Sequence, residues 1–233
     1  MTSYSSRTFR QLFDRDSAAV FFDLTFNNCE FNNCGLSLTQ SVELMTQVRN
    51  VKAIGCKCIN CHVGPAVFED VLFDGLAIDD MLVLNAPLFR RVTLRGNIGR
   101  VLINRNAGLI DYNAEVQRIF DAARNSFYSD VDWALDISEA RFREFEVDGV
   151  PARLIRRDPK TQVVVTRERA SKPGWREQLS PQNTFWPFVL GQFLNGDDPD
   201  VVLVAPKSAR KQEFNSLVDG LNELRQLGIA EPD

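Results

Sequence analysis

The sequence predicts a mainly β fold: a short parallel coil of strands with about 20 residues per coil, a helical insertion and a C-terminal αβ segment. Three patterns predict it. Ala53, Cys58, Val63, Phe68, Phe73 and Ile78 recur at every fifth position, and Val51, Cys56, Cys61, Ala66, Val71 and Leu76 do the same two positions earlier. Gly35, Gly55, Gly75 and Gly96 recur at a nearly constant interval, one to each coil. Apolar spacing then changes to threes and fours within 111–127, and again from Phe214 to Leu227.

A period of five is not helical, because a helix face needs spacings of three and four. Two inward residues flanking one outward residue are the alternation of a strand. A break at every fifth position is then a corner, and each coil stacks on the last at about 4.8 Å. Glycine belongs where a corner needs positive φ or close backbone approach. This frame puts Phe31, Val51, Val71 and Val92 in one inward column and places Met81 and Val83 in the inward columns farther on. After the insertion it repeats at Gly149, with Phe145 and Val147 inward.

The elements follow in order. Residues 1–23 are expected as an N-terminal cap segment, with Phe9–Phe13 supplying its apolar contact. Residues 24–170 are expected as the coil. Residues 111–127 protrude from it as a helix whose Val116, Ile119, Phe120 and Ala123 share a face. Residues 162–168 read as a strand, and the turn-rich 171–183 as a linker. Residues 171–233 are expected as an αβ capping segment: a short helix near Phe185–Leu190, a buried strand over 200–205 and an amphipathic helix ending at Gly228. An open end of such a coil exposes strand edges and apolar surface, which is why caps are expected at both ends.

FNNCEFNNCGLSL (26–38) and ARFREFEVDG (140–149) place a small residue two positions before a central Leu or Phe. Cys29 precedes Phe31 in this way, Cys34 precedes Leu36, and Ala140 precedes Phe142. In this the sequence resembles the pentapeptide-repeat proteins over about 24–104 and 135–155. The resemblance implies a right-handed quadrilateral parallel β-helix. It also implies a binding protein, since some members resemble DNA in shape and charge and bind topoisomerases.

Composition bounds the function. Apolar content of 44% and charged content of 25% suit a globular chain. A net charge of −4 provides no field that would draw it to nucleic acid or an anionic membrane. The N-terminus lacks a basic region followed by an apolar run, so a cytoplasmic location with reduced thiols is expected. No Walker, G-x-S-x-G or H-E-x-x-H segment is present, which favours a non-catalytic reading with no cofactor.

Three stretches are candidate sites. GCKCINCH (55–62) holds three of the five cysteines and the only histidine. Cys58 to His62 match the C-x-x-C-H pattern of haem attachment, and Cys56, Cys58, Cys61 and His62 are a possible zinc set. Their frame is instead that of Leu36, Leu38, Leu76, Ile78 and Met81, so packing as small apolar residues is the favoured reading. Residues 69–80 carry Glu69, Asp70, Asp74, Asp79 and Asp80 with no base. One coil later stand Arg90, Arg91, Arg95 and Arg100, in register with Glu69, Asp70, Asp74 and Asp79, so pairing between coils is expected rather than a free acidic face. Residues 153–176 are rich in Arg and Lys and read as a solvated face.

The function expected is that of a non-catalytic scaffold presenting rigid faces to a protein partner, with nucleic acid and membrane disfavoured. The alternatives are an enzyme using carboxylates on a coil face against a carbohydrate or other polar substrate, and metal binding at Cys56–His62.

Overall fold

A computed structural model describes residues 1–108 and 113–231. Among these, fourteen strands join one large curled sheet, and every pairing within it is parallel. The chain supplies them in successive passes. The first pass is β1 (Thr2–Ser5), β2 (Thr8–Arg10) and β3 (Phe13–Arg15). The second is β4 (Val20–Asn27), β5 (Glu30–Asn32) and β6 (Gly35–Leu38). The third is β7 (Thr46–Ile59) and β8 (His62–Val63), and the fourth is β9 (Ala66–Ile78) and β10 (Leu82–Asn85). The fifth is the long β11 (Leu88–Asn104). After α1 (Ala114–Tyr128) come β12 (Leu135–Asp136), β13 (Ala140–Val147) and β14 (Ile155–Arg156).

The corners at every fifth position are visible in the backbone. Asp23, Asn28 and Asn33 have positive φ, as do Asn50, Gly55 and Asn60 one pass later and Asp70 and Gly75 after that. Asn and Asp tolerate this conformation better than other side-chain-bearing residues, and glycine meets no steric cost there. Glycine is needed where corners stack closely: a Cβ on Gly96 would lie 3.2 Å from the Gly75 nitrogen.

The inward columns run as ladders. Leu24, Val51, Val71, Val92 and Leu135 are consecutive partners. Val51, Val71, Val92 and Leu135 are buried. The valines therefore stack as the sequence predicts, but the residue before Val51 is Leu24, not Phe31. The reason is length. Residues 39–45 add a short excursion with a 3₁₀ turn at Val42–Leu44, so the second pass is longer than the glycine interval predicts. Gly35 consequently pairs with Phe13 and His62, and Asn28 takes the corner below Gly55. Gly149 is likewise outside the glycine column, where Ala140 partners Gly96. Met81 and Val83 are only partly buried, and Leu82 and Leu84 fill the inward positions beside them.

Asp111 and Tyr112, the start of the expected insertion, lie outside the described residues, as do Pro232 and Asp233. From Ala114 the helix forms, its first turn capped by the Asn113 side chain, which accepts from the backbone N–H of Glu115 and Val116. It packs against the sheet rather than protruding. Phe120 and Tyr128 are buried in the main core, and the Tyr128 hydroxyl accepts from Phe89 N–H at 3.2 Å.

The C-terminal segment has its own core. β15 (Gln162–Thr166) and β16 (Asp200–Val204) pair antiparallel, flanked by α2 (Arg167–Ala170), α3 (Phe185–Asn195) and α4 (Lys211–Gln226). Trp175, Trp186, Leu190, Leu221 and Leu224 are buried among them. Residues 171–183 therefore do not run free as a linker: Trp175 Nε1–H donates to Ala170 O at 3.0 Å inside this core. The segment lies against the last strands of the large sheet through Gln162 Nε2–Ile137 O, Ser208 Oγ–Phe142 O and Ala152 N–Asp200 Oδ1 contacts.

The first pass has no such cover among the described residues. Phe9 to Phe13 belong to β2 and β3 and the turn between them, so they form a layer of the sheet and not a cap over it. Within the described chain, β1, β2 and β3 pair only with β4, β5 and β6.

Candidate functional site

Four regions carry chemistry, and the cysteines come first. Cys56 is buried beside Leu76, and Cys58 sits beside Ile78 and Phe31. The other neighbours expected for them differ because the second pass is longer: Cys56 follows Cys29 and Cys61 follows Cys34. These four thiols repeat one local geometry. Each lies near the carbonyl two residues before it and one from the preceding pass, as Cys56 does with Ile54 O and Phe26 O and Cys61 with Ile59 O and Phe31 O. Cys29 and Cys34 do so with Tyr4 O and Phe9 O. A small side chain fits this position, where the thiol adds a weak second contact to carbonyls that a backbone N–H of the preceding pass already reaches, as Asn28 N–H does Ile54 O. All five cysteines are free thiols. His62 is exposed, and Cys56 is held at a different corner from Cys61, so the four residues of the metal alternative do not converge. Among the described residues, no group of three or more His, Cys, Asp or Glu side chains is placed to hold a metal ion.

Cys58 and Cys61 interact. A hydrogen bond from Cys58 draws the Cys61 thiol down to about 6, against the opposing effect of burial. The same bond pushes Cys58 well above the usual thiol range, and burial adds to that shift.

The acidic stripe is the second region. Arg91 Nε lies 2.6 Å from Asp70 Oδ1, Arg95 Nη2 lies 2.8 Å from Asp74 Oδ2 and Arg90 Nε lies 3.6 Å from Glu69 Oε1. Glu69 also meets Arg49 from the pass before, at 3.3 Å. The Arg91 guanidinium holds the Asp70 carboxyl below its ordinary value. Arg100 departs from expectation. The register shifts between Arg95 and Ile98, and Arg100 meets Asp80 at 3.4 Å and Glu144 at 2.7 Å instead of Asp79.

Most of the basic stretch is exposed, as at Arg153, Arg156, Lys160, Lys172 and Arg176, while Arg167 and Arg169 are spent on structure. Arg167 donates to the carbonyls of Phe193, Leu194, Gly196 and Asp198 at 2.8 to 3.2 Å, satisfying the C-terminus of α3. Arg169 donates to Ala230 O, and Arg156 stacks over Trp133 at 4.1 Å. A carboxyl pair that the sequence reading did not single out sits near the same joint. Asp148 lies beside Asp198, which pairs with Arg105 at 3.2 Å. Burial first, then the Asp198 charge, pushes Asp148 up to about 7. Its Oδ1 is buried with no hydrogen-bond partner. Asp148 and Asp198 are too far apart in sequence for any local motif to reveal them. They join the end of β13 to the segment before β16.

The uncovered first pass is the fourth region. Leu12 and Phe13 of this pass and Val20, Phe21 and Phe22 at the start of β4 are exposed, at 39 to 62% of their full surface. Val20 to Phe22 pair with Gln47 to Arg49 on one side, while pairing with β1 starts only at Leu24. Free strand edges and exposed apolar side chains coincide. No helix among the described residues is long and apolar enough to cross a membrane.

Compared with protein-family models, curated proteins and solved structures, the chain matches none. The class its geometry defines is a protein with a large curled parallel sheet, charge-paired along its surface and, among the described residues, uncovered at its first pass.

Proposed function

We propose that this chain is a short right-handed, four-sided β-helix that serves as a non-catalytic cytoplasmic scaffold and binds another protein by strand addition at its first pass. One observation carries the reading: among the described residues β1, β2 and β3 each pair on one side only, next to exposed Leu12, Phe13, Phe21 and Phe22. Unpaired strand edges are templates for another strand, and proteins ordinarily blunt or cover them. In strand addition the main chain supplies affinity and alternate side chains supply specificity. The partner is a protein segment that presents an extended strand with apolar side chains. The faces along the stack are poorer candidates, because their acids already meet arginines of neighbouring passes.

The test compares the chain with its Leu12→Asp/Phe22→Asp variant in affinity capture from lysate and in light scattering. A protein held by the first and lost by the folded variant supports the reading, as does self-association abolished by the same change. Identical captured sets and identical masses for the two would overturn it.

A further inference from the structure

The interior of the sheet is not filled. A cavity of about 640 Å³ runs inside it, lined by residues of the first five passes and ending at Leu135. The sequence explains the gap. One inward column reads Tyr4, Phe26, Ala53, Phe73, Leu94, and the next reads Phe9, Phe31, Cys58, Ile78. Aromatic rings line these columns in the first two passes, with Tyr4 stacked on Phe26 and Phe9 on Phe31. In the third pass alanine and cysteine stand where rings stood, and both line the gap. Beyond Leu135 the interior is filled, where Phe142 stacks on Phe145 at 4.3 Å. At the other end the cavity reaches the surface between Leu12, Phe13 and Phe21, all exposed.

We infer that this cavity is a binding site for a single long hydrocarbon chain, that of a fatty acyl group. Five passes, stacked at four intervals of about 4.8 Å, give a channel about 19 Å long. A volume of about 640 Å³ spread over that length makes an elongated space that suits one extended chain. The volume lies within the about 300–1,000 Å³ of small-molecule pockets. The walls are almost wholly apolar, and apolar cavities stay dry and accept apolar guests. Interior voids also cost stability in proportion to their volume, so a guest that fills this one is held by the contacts it restores. The polar end of the ligand stays at the mouth, beside exposed Gln11. The inference does not depend on the protein partner proposed above.

The experiment uses the whole chain and a fluorescent long-chain polyene fatty acid as the probe. Saturable binding of one probe per chain is expected, displaced by palmitate and not by octanoate or a sterol. Cys34, Cys58 and Cys61 line the channel, whereas Cys29 and Cys56 do not. Bound palmitate should therefore slow alkylation of Cys34, Cys58 and Cys61 at least several-fold, read by peptide mass spectrometry. Ala53→Phe, which puts a ring between Phe26 and Phe73, should abolish probe binding without lowering the thermal midpoint. Absence of saturable binding overturns the inference, and so does binding that leaves the alkylation of those three thiols unchanged. The thiol measurement uses the unaltered chain, so it decides the matter even if the variant fails to fold.

Discussion

Arg95 and Asp74 are direct partners in the parallel register of β11 and β9, with Nη2 2.8 Å from Oδ2. Reversing one of them therefore sets like charges face to face. Asp74→Arg should cost about 0.2–1 kcal/mol, the size of one cross-strand pair at a partly exposed site. Adding Arg95→Asp should restore most of the loss. A double-mutant cycle by urea denaturation measures the coupling, and a value of zero would show that the pair sets no register.

Interior position should decide the cost of losing a ring. Phe142 is buried and stacked on Phe145, so Phe142→Ala should cost about 3–5 kcal/mol. Phe73 faces the cavity and is only partly buried, so Phe73→Ala should cost clearly less. Equal shifts of the denaturation midpoint would mean that the cavity wall is packed as tightly as the closed end.

Asp148 makes stability depend on pH. Its carboxyl lies at about 7 in the fold against 3.8 as the ordinary value, so between those limits the folded chain binds the extra proton. Stability from this group is complete below about pH 4 and is lost as pH rises through about 7. Asp148→Asn should then raise the thermal midpoint at about pH 8 and change it little at about pH 4. A stabilisation of equal size at both would refute the burial argument.

Cys61 should react at lower pH than an ordinary thiol. With its value drawn to about 6 by Cys58, iodoacetamide alkylation should rise through that pH, while Cys58 reacts more slowly than an ordinary thiol. Cys58→Ala removes the donor and should move the Cys61 profile towards the usual value of about 8.5. An unmoved profile would assign the shift to something other than Cys58.

Read alone, the sequence determined what depends on local chemistry and strict spacing. The alternation with a period of five set the strands and corners from Val51 to Ile78, because inward residues must be apolar and corner residues must tolerate positive φ. A constant offset between one pass and the next likewise revealed that Glu69, Asp70 and Asp74 meet Arg90, Arg91 and Arg95. Tertiary structure decided whatever depends on the length of an irregular segment. The excursion at 39–45 moved Gly35 out of the glycine column and set Leu24 under Val51; the five-residue register slips between Leu36 and Ala53, which marks the place of the shift but not its length. Tertiary structure also decided what fills space. Ala53 and Cys58 satisfy the apolar pattern as well as a ring would, yet their size opens a cavity that exists only when five passes are stacked. The Asp148–Asp198 pair and the bare edge of β1 to β3 belong to the same class, since each depends on which distant segment arrives beside it.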